Sequence, residues 1–193
     1  MHYGEALSVQ RAIMREEITR WHGTESGTGG DSFFVVFTSA TDAVGAALAA
    51  QRRLASYDWP DGAKVRVRMG LHTGQPTRHE GDYVGMDVHR AARIASSAHG
   101  GQILVSATTA QFVADRSAEL QLKDLGWHRL KDIPEPERIL QLVAKDLPQE
   151  FPALKSLGTP TNLPPALTAI IGRTASWSRS LHSSPTPERV WSP

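Results

Sequence analysis

Between Glu5 and Val143 the apolar residues switch repeatedly between helical and two-residue spacing, and this alternation constrains the fold more than any other feature of the chain. Leu7, Met14, Ile18 and Trp21 recur at steps of seven, four and three, which places them on one stripe of an amphipathic helix over Glu5–Trp21. His22 to Asp31 is rich in Gly, Thr and Ser and reads as a turn. Phe33–Phe37 is an unbroken β-prone run, too short for a helix, and reads as a buried strand. Helical spacing returns over Asp42–Tyr57 through Val44, Ala47, Leu48, Gln51 and Leu54, with Thr41 or Asp42 as N-cap and Pro60 beyond the end. Lys64–Leu71 then alternates with a period of two and one apolar face, the clearest strand pattern in the chain, and Gly70 to Glu80 turns.

A third helix fits Gly85–Ala98, where Val88, Ala91, Ala92, Ala95 and Ala98 offer a face suited to close packing and His99-Gly100-Gly101 ends it. Gln102–Ser106 reads as a short strand and Thr108–Ala114 as a short helix. Segments around Leu120–Leu130 and Arg138–Val143 read as closing strands. Such interleaving predicts an α+β sandwich with helices against one sheet. From Lys145 the periodicity disappears while Pro, Ser and Thr accumulate, so a domain over 1–144 is expected to give way to a linker and disordered tail over 145–193.

The charge pattern excludes some partners. The 21 basic and 20 acidic side chains are scattered without a basic block, which argues against nucleic-acid binding by this chain alone. No cysteine is present, so neither a disulfide frame nor a thiolate metal site is available. No stretch approaches the roughly 20 apolar residues that cross a bilayer, and the start lacks a basic segment followed by an apolar run. A cytoplasmic protein without membrane partners is the expectation.

Three segments carry residues capable of chemistry. In Gly27-Thr-Gly-Gly-Asp31-Ser-Phe-Phe-Val-Val-Phe37 a carboxylate stands at the mouth of the strand, where oxygen ligands hold hard cations; the plainer reading is a hairpin with an Asp in its turn. In Gly81-Asp82-Tyr-Val-Gly85-Met-Asp-Val-His89-Arg90-Ala-Ala-Arg93, Asp82 precedes a helix that places His89 and Arg93 on one face. An arginine so placed neutralises phosphate charge, and the Asp accepts a hydrogen bond from a base amino group; a solvated helix face competes with that reading. Arg90 is expected to face solvent. In Arg68-Met-Gly-Leu-His72-Thr-Gly74 the lone histidine is read as structural, because no second ligand lies at metal-binding spacing.

Taken together, GTGGDSFFVVF, RVRMGLHTGQP, EGDYVGMDVHRAARIASSAHGGQILVS and LKDLGWHRLKDIPEPERILQLV resemble class III nucleotide cyclase domains in order and spacing. They are especially similar to the actinobacterial subgroup fused ahead of ATPase and LuxR-type helix-turn-helix domains. The resemblance implies a ferredoxin-like core and a head-to-tail dimer, homomeric or heteromeric, with each active site between two chains. It implies two divalent ions, Mg2+ or Mn2+, held by two aspartates and driving attack of a ribose 3′ hydroxyl on the α-phosphate of a nucleoside triphosphate. By position, Asp31 matches the second metal aspartate, Asp82 the adenine-reading aspartate and Arg93 the arginine that stabilises the transition state.

The departures are as informative as the matches. Nothing before Glu5 supplies the strand that bears the family's first metal aspartate. Gly27 stands where a lysine normally helps to read adenine, and His89 where an asparagine orients the ribose. ATP is favoured over GTP through Asp82, although Gly27 removes the other half of the adenine reader. Metal ions and phosphate clamps supply much of the barrier reduction in phosphoryl chemistry, so little activity is expected of the chain alone. The missing strand would lie between Phe33–Phe37 and Lys64–Leu71, whose facing edges must pair directly, be filled by another segment or remain open to aggregation. Asn162-Leu-Pro-Pro-Ala-Leu-Thr-Ala-Ile-Ile-Gly172-Arg173 resembles the lead into the ATPase domain of the longer regulators, but no P-loop follows. A truncated relative of such a regulator is the expectation.

Overall fold

The computed structural model describes residues 3–60, 63–113 and 120–157. Among the described residues four helices, α1 (Tyr3–Arg20), α2 (Ala40–Ser56), α3 (Met86–Ser97) and α4 (Ala107–Val113), alternate with strands. The strands are β1 (Thr24–Gly29), β2 (Ser32–Val36), β3 (Met69–Leu71), β4 (Thr77–His79), β5 (Asp82–Val84), β6 (Ile103–Ser106), β7 (Gln121–His128) and β8 (Glu137–Val143). The expected α+β class is what the chain adopts. Among the described residues no helix is long and apolar enough to cross a membrane.

The central sheet has four strands in the order β3-β6-β8-β7, with β3 parallel to β6 and the other pairs antiparallel. Every residue of β6 is buried. Ile103 joins a cluster with Val44 and Leu48 of α2, Val113 of α4 and Leu142 of β8. Leu104 joins Ile94 and Ala98 at the end of α3, with Ile139, Leu130, Ile133 and Leu154. Successive strand residues face opposite ways, so α2 and α4 cover one face of the sheet and α3 covers the other. The approach of α3 is close: a Cβ on Gly70 of β3 would lie 2.2 Å from the backbone nitrogen of Ala95.

Several expectations need correction. The region before Phe33 is a strand, not only a turn: β1 pairs antiparallel with β2 across a two-residue Gly30-Asp31 loop in which Gly30 takes φ +60°. A second hairpin, β4–β5, turns at Glu80 and Gly81, both with positive φ, at the end of the Gly70 to Glu80 stretch read as a turn. The cap of α2 is Ser39, whose hydroxyl accepts from the Asp42 amide at 3.2 Å, in place of Thr41 or Asp42. On α1 the buried positions are Gln10, Ile13, Glu17 and Ile18, and Glu17 is held by Arg53 at 3.0 Å, so the buried stripe is partly polar. Ala92, assigned to the packing face of α3, is exposed.

The strand read over Lys64–Leu71 is a ladder only at Met69–Leu71. Its alternating burial persists upstream, with Val65 and Val67 half-buried between exposed Lys64, Arg66 and Arg68. The side-chain pattern is set by the face, whereas a ladder needs neighbours, and here the Val67 carbonyl accepts from the Gly101 amide at 2.8 Å and from the Gln51 side-chain amide at 2.6 Å with no adjacent strand. Phe33–Phe37, read as buried, is half-buried throughout. Among the described residues β2 pairs only with β1 and β3 only with β6, so the two edges do not pair with each other.

The chain does not leave this body at Lys145. Leu154 is buried in the α3 cluster, the Lys155 amide donates to Ser97 at 3.0 Å, and Leu157 forms a bridge to Arg129. Packing explains this where composition did not: a Pro-containing segment without periodicity still buries single apolar residues. The 162–173 segment lies outside the described residues.

Candidate functional site

Helix α3 organises the candidate site. Gly85 leads from β5 into its first turn, and the helix carries His89 and Arg93 one turn apart, as their spacing predicts. The His89 side chain is exposed. Arg93 is partly exposed and its guanidinium donates to the carboxylate of Asp132, in the loop between β7 and β8. Asp132 itself adopts a left-handed backbone, φ +61°.

Arg90 does not face solvent as expected. It is turned into the protein, where its Nη1 lies 2.7 Å from Asp87 Oδ1 and its Nε donates to the Glu137 carboxylate at the start of β8. Asp87 is the hub of this arrangement. It also accepts from the Gln75 amide at 2.9 Å and meets His72 Nε2 at 3.2 Å. His72, only 5% exposed, has its Nδ1 2.9 Å from the Ser106 hydroxyl, which in turn lies 3.1 Å from Thr109 Oγ1. Burial opposes ionisation of Asp87, but the Gln75 amide, His72 and Arg90 outweigh it and hold the carboxyl below its ordinary value. The approach leaves no room at Gly74, where a Cβ would sit 2.3 Å from the Asp87 carboxylate.

Sequence reasoning overlooked Asp87, Glu137 and Ser106 and left Arg90 facing solvent, because His72, Glu137 and Ser106 reach the network from other elements. The local signals were an Asp in the first turn of a predicted helix, which is common for dipole reasons alone, and its i,i+3 spacing to Arg90. The network connects the end of β3, the first turn of α3, the end of β6 and the start of β8, so it sets the position of the helix that carries His89 and Arg93.

The remaining predicted residues lie on two hairpins. Asp31 is exposed in the β1–β2 loop, beside Gly30, whose carbonyl accepts from Arg11 of α1. Gly27 is in β1 at a register shift opposite Phe34. Asp82 opens β5, paired with His79 across the second hairpin, and is exposed. Among the hydrogen bonds and ion pairs of the described residues, none joins Asp31, Asp82, His89 and Arg93 to one another. Nor do the described residues contain a group of three or more His, Asp or Glu side chains placed to hold a metal ion. The donor set around Asp31 therefore does not by itself fit a two-ion site.

The profile of the adenylate and guanylate cyclase catalytic domain matches residues 5–133. An uncharacterized protein of Mycobacterium tuberculosis is 41% identical over 149 residues, which is 76% of this chain and 50% of that protein. The chain thus spans about half the length of the mycobacterial relatives it matches. Among solved structures, an adenylate cyclase of Trypanosoma brucei in its monomeric state superposes with a TM-score of 0.70 at 26% identity, covering 78% of this chain and 82% of that one. An adenylate/guanylate cyclase/hydrolase from Silicibacter pomeroyi gives a TM-score of 0.66 at 28% identity, covering 75% and 86%. Cyclase domains of this kind generally use divalent metal ions and bind nucleoside triphosphates, often as dimers.

Proposed function

Because this chain belongs to the class III adenylate and guanylate cyclase family, we propose that it is a cyclase module that binds a nucleoside triphosphate, ATP before GTP, with little or no turnover alone. The observation that carries this reading is the isolation of Asp31. It is the one residue matched to a metal aspartate, and it stands in an exposed hairpin loop with no group of metal-holding side chains among the described residues. In this reading Arg93 offers its guanidinium to phosphate oxygens and Asp82 accepts a hydrogen bond from the adenine amino group. His89 stands over the ribose in place of the usual asparagine, and Gly27 contributes no contact to the base. A module of this kind serves cyclic-nucleotide signalling or a larger regulator as a nucleotide-sensing or dimerising part.

A second reading is favoured by one observation. Phe33–Phe37 remains half-buried, and among the described residues its strand β2 and the strand β3 sit in separate sheets. A further strand, from elsewhere in the polypeptide or from a partner in a head-to-tail dimer, would cover that run and could add a carboxylate opposite Asp31. Such an assembly would be an active cyclase.

Incubating the purified chain with ATP or GTP and Mn2+ separates the readings. Binding of the nucleotide with at most trace cyclic product is expected. Robust formation of cyclic AMP or cyclic GMP by the chain alone overturns the weak-turnover reading, and so does absence of any nucleotide binding.

A further inference from the structure

We infer that Asp132 is an internal competitor for the nucleotide site: its carboxylate occupies the Arg93 guanidinium in the ligand-free chain, and a triphosphate must displace it to bind. The inference rests on the proposed nucleotide-binding reading and adds a residue to it. Arg93 and Asp132 are 39 positions apart and belong to separate elements, α3 and the β7–β8 loop, yet one guanidinium nitrogen of Arg93 donates directly to Asp132 Oδ2. No other hydrogen-bond partner of the Arg93 side chain is found among the described residues. Arg90, one turn earlier on the same helix, is instead held by two carboxylates, Asp87 and Glu137.

The two arginines therefore have different uses. Arg90 is locked between partners that are themselves half-buried, whereas Arg93 is 35% exposed and Asp132 61% exposed. An exposed pair is weak, with a median contribution of about 0–1 kcal/mol, so a ligand exchanges for Asp132 at small cost. A carboxylate and a phosphate oxygen present the same chemistry to a guanidinium: a planar donor fork meets an anionic acceptor. A triphosphate as a whole carries more negative charge than Asp132, which makes the exchange favourable when it arrives. The apparent affinity is then lowered by the fraction of chains in which Arg93 is already occupied.

The test uses the full chain and ATP as the probe, titrated by calorimetry at low ionic strength in four forms: unmodified, Asp132→Asn, Arg93→Ala, and both substitutions together. Asn keeps the size of the side chain and tolerates the left-handed backbone at this position. Asp132→Asn is expected to tighten ATP binding about two- to fivefold, in line with an exposed ion pair. Arg93→Ala is expected to weaken binding, and Asp132→Asn added to Arg93→Ala is expected to change nothing further. Raising the salt should narrow the gap between the unmodified chain and Asp132→Asn, because an exposed contact is screened. Equal tightening in the presence and absence of Arg93 would mean a general field effect and overturn the inference, as would unchanged affinity in Asp132→Asn. Either result, with Arg93-dependent binding intact, leaves the nucleotide-binding reading standing. Binding by none of the four forms, or binding that Arg93→Ala does not weaken, removes the inference together with the assigned role of Arg93.

Discussion

His72 and Asp87 lie on opposite sides of the β4–β5 hairpin in sequence and meet side chain to side chain, with Nε2 3.2 Å from Oδ1. The same carboxylate takes a backbone amide and an arginine, so its removal leaves three donors without an acceptor at the start of α3. Asp87→Ala is expected to destabilise the chain by about 1.5–3 kcal/mol, the range for hydrogen bonds to a charged group. A lowered urea midpoint at neutral pH checks this; a midpoint within error of the unmodified chain would mean that the network does not hold α3. The folded state lowers the carboxyl below its ordinary 3.8. Its contribution is therefore present above that value and fades as pH falls through the folded value, so the two midpoints should converge in acid.

Glu25 gives a second pH dependence at the surface. The hydrogen bonds from Arg15 and then Thr28 hold its carboxyl down at about 2, from an ordinary value of 4.5. A depressed acid stabilises above its unfolded value and loses that contribution as pH falls toward the folded one. Glu25→Gln should lower stability modestly at neutral pH, since the pair is solvent-exposed, and flatten the decline between these two values by the same small amount. Identical acid profiles in thermal melts would show that the Arg15 contact adds nothing.

Amide exchange should expose the unequal pairing of the sheet. Leu104 and Val105 have strands on both sides, whereas residues 64–68 have no ladder on either. Their amides are expected to exchange orders of magnitude faster than those of Leu104 and Val105, because protection follows the cooperativity of the opening unit. Comparable protection of Val67 and Leu104 in the isolated chain would mean that a strand fills the open edge.

In the proposed reading His89 takes the place of the asparagine of the cyclase pattern. His89→Asn is expected to hold or raise whatever cyclic product the chain makes, while Arg93→Ala lowers turnover more than affinity because its charge is matched to the transition state. Product assays with ATP and Mn2+ check both. A drop in product with His89→Asn would show that the histidine has its own role.

Local information carried much of this protein. The spacing of Val44, Ala47, Leu48 and Leu54 is enough to define α2, and that of His89 and Arg93 places both on α3, because helical period is a property of neighbours in the chain. The linked glycine, aspartate and arginine segments sufficed for the family. Other features arose only on folding. Arg90 looked solvent-facing because Glu137, its partner, is 47 positions away. His72 looked solitary because Asp87 and Ser106 arrive from two other elements. The ladder at Lys64–Leu71 shrank to three residues because alternation encodes which side is buried, while a backbone hydrogen bond needs a second strand at the right height. Face and period are written along the chain, but pairing, ion-pair choice and the occupancy of Arg93 by Asp132 depend on which elements the tertiary fold brings within a few ångströms.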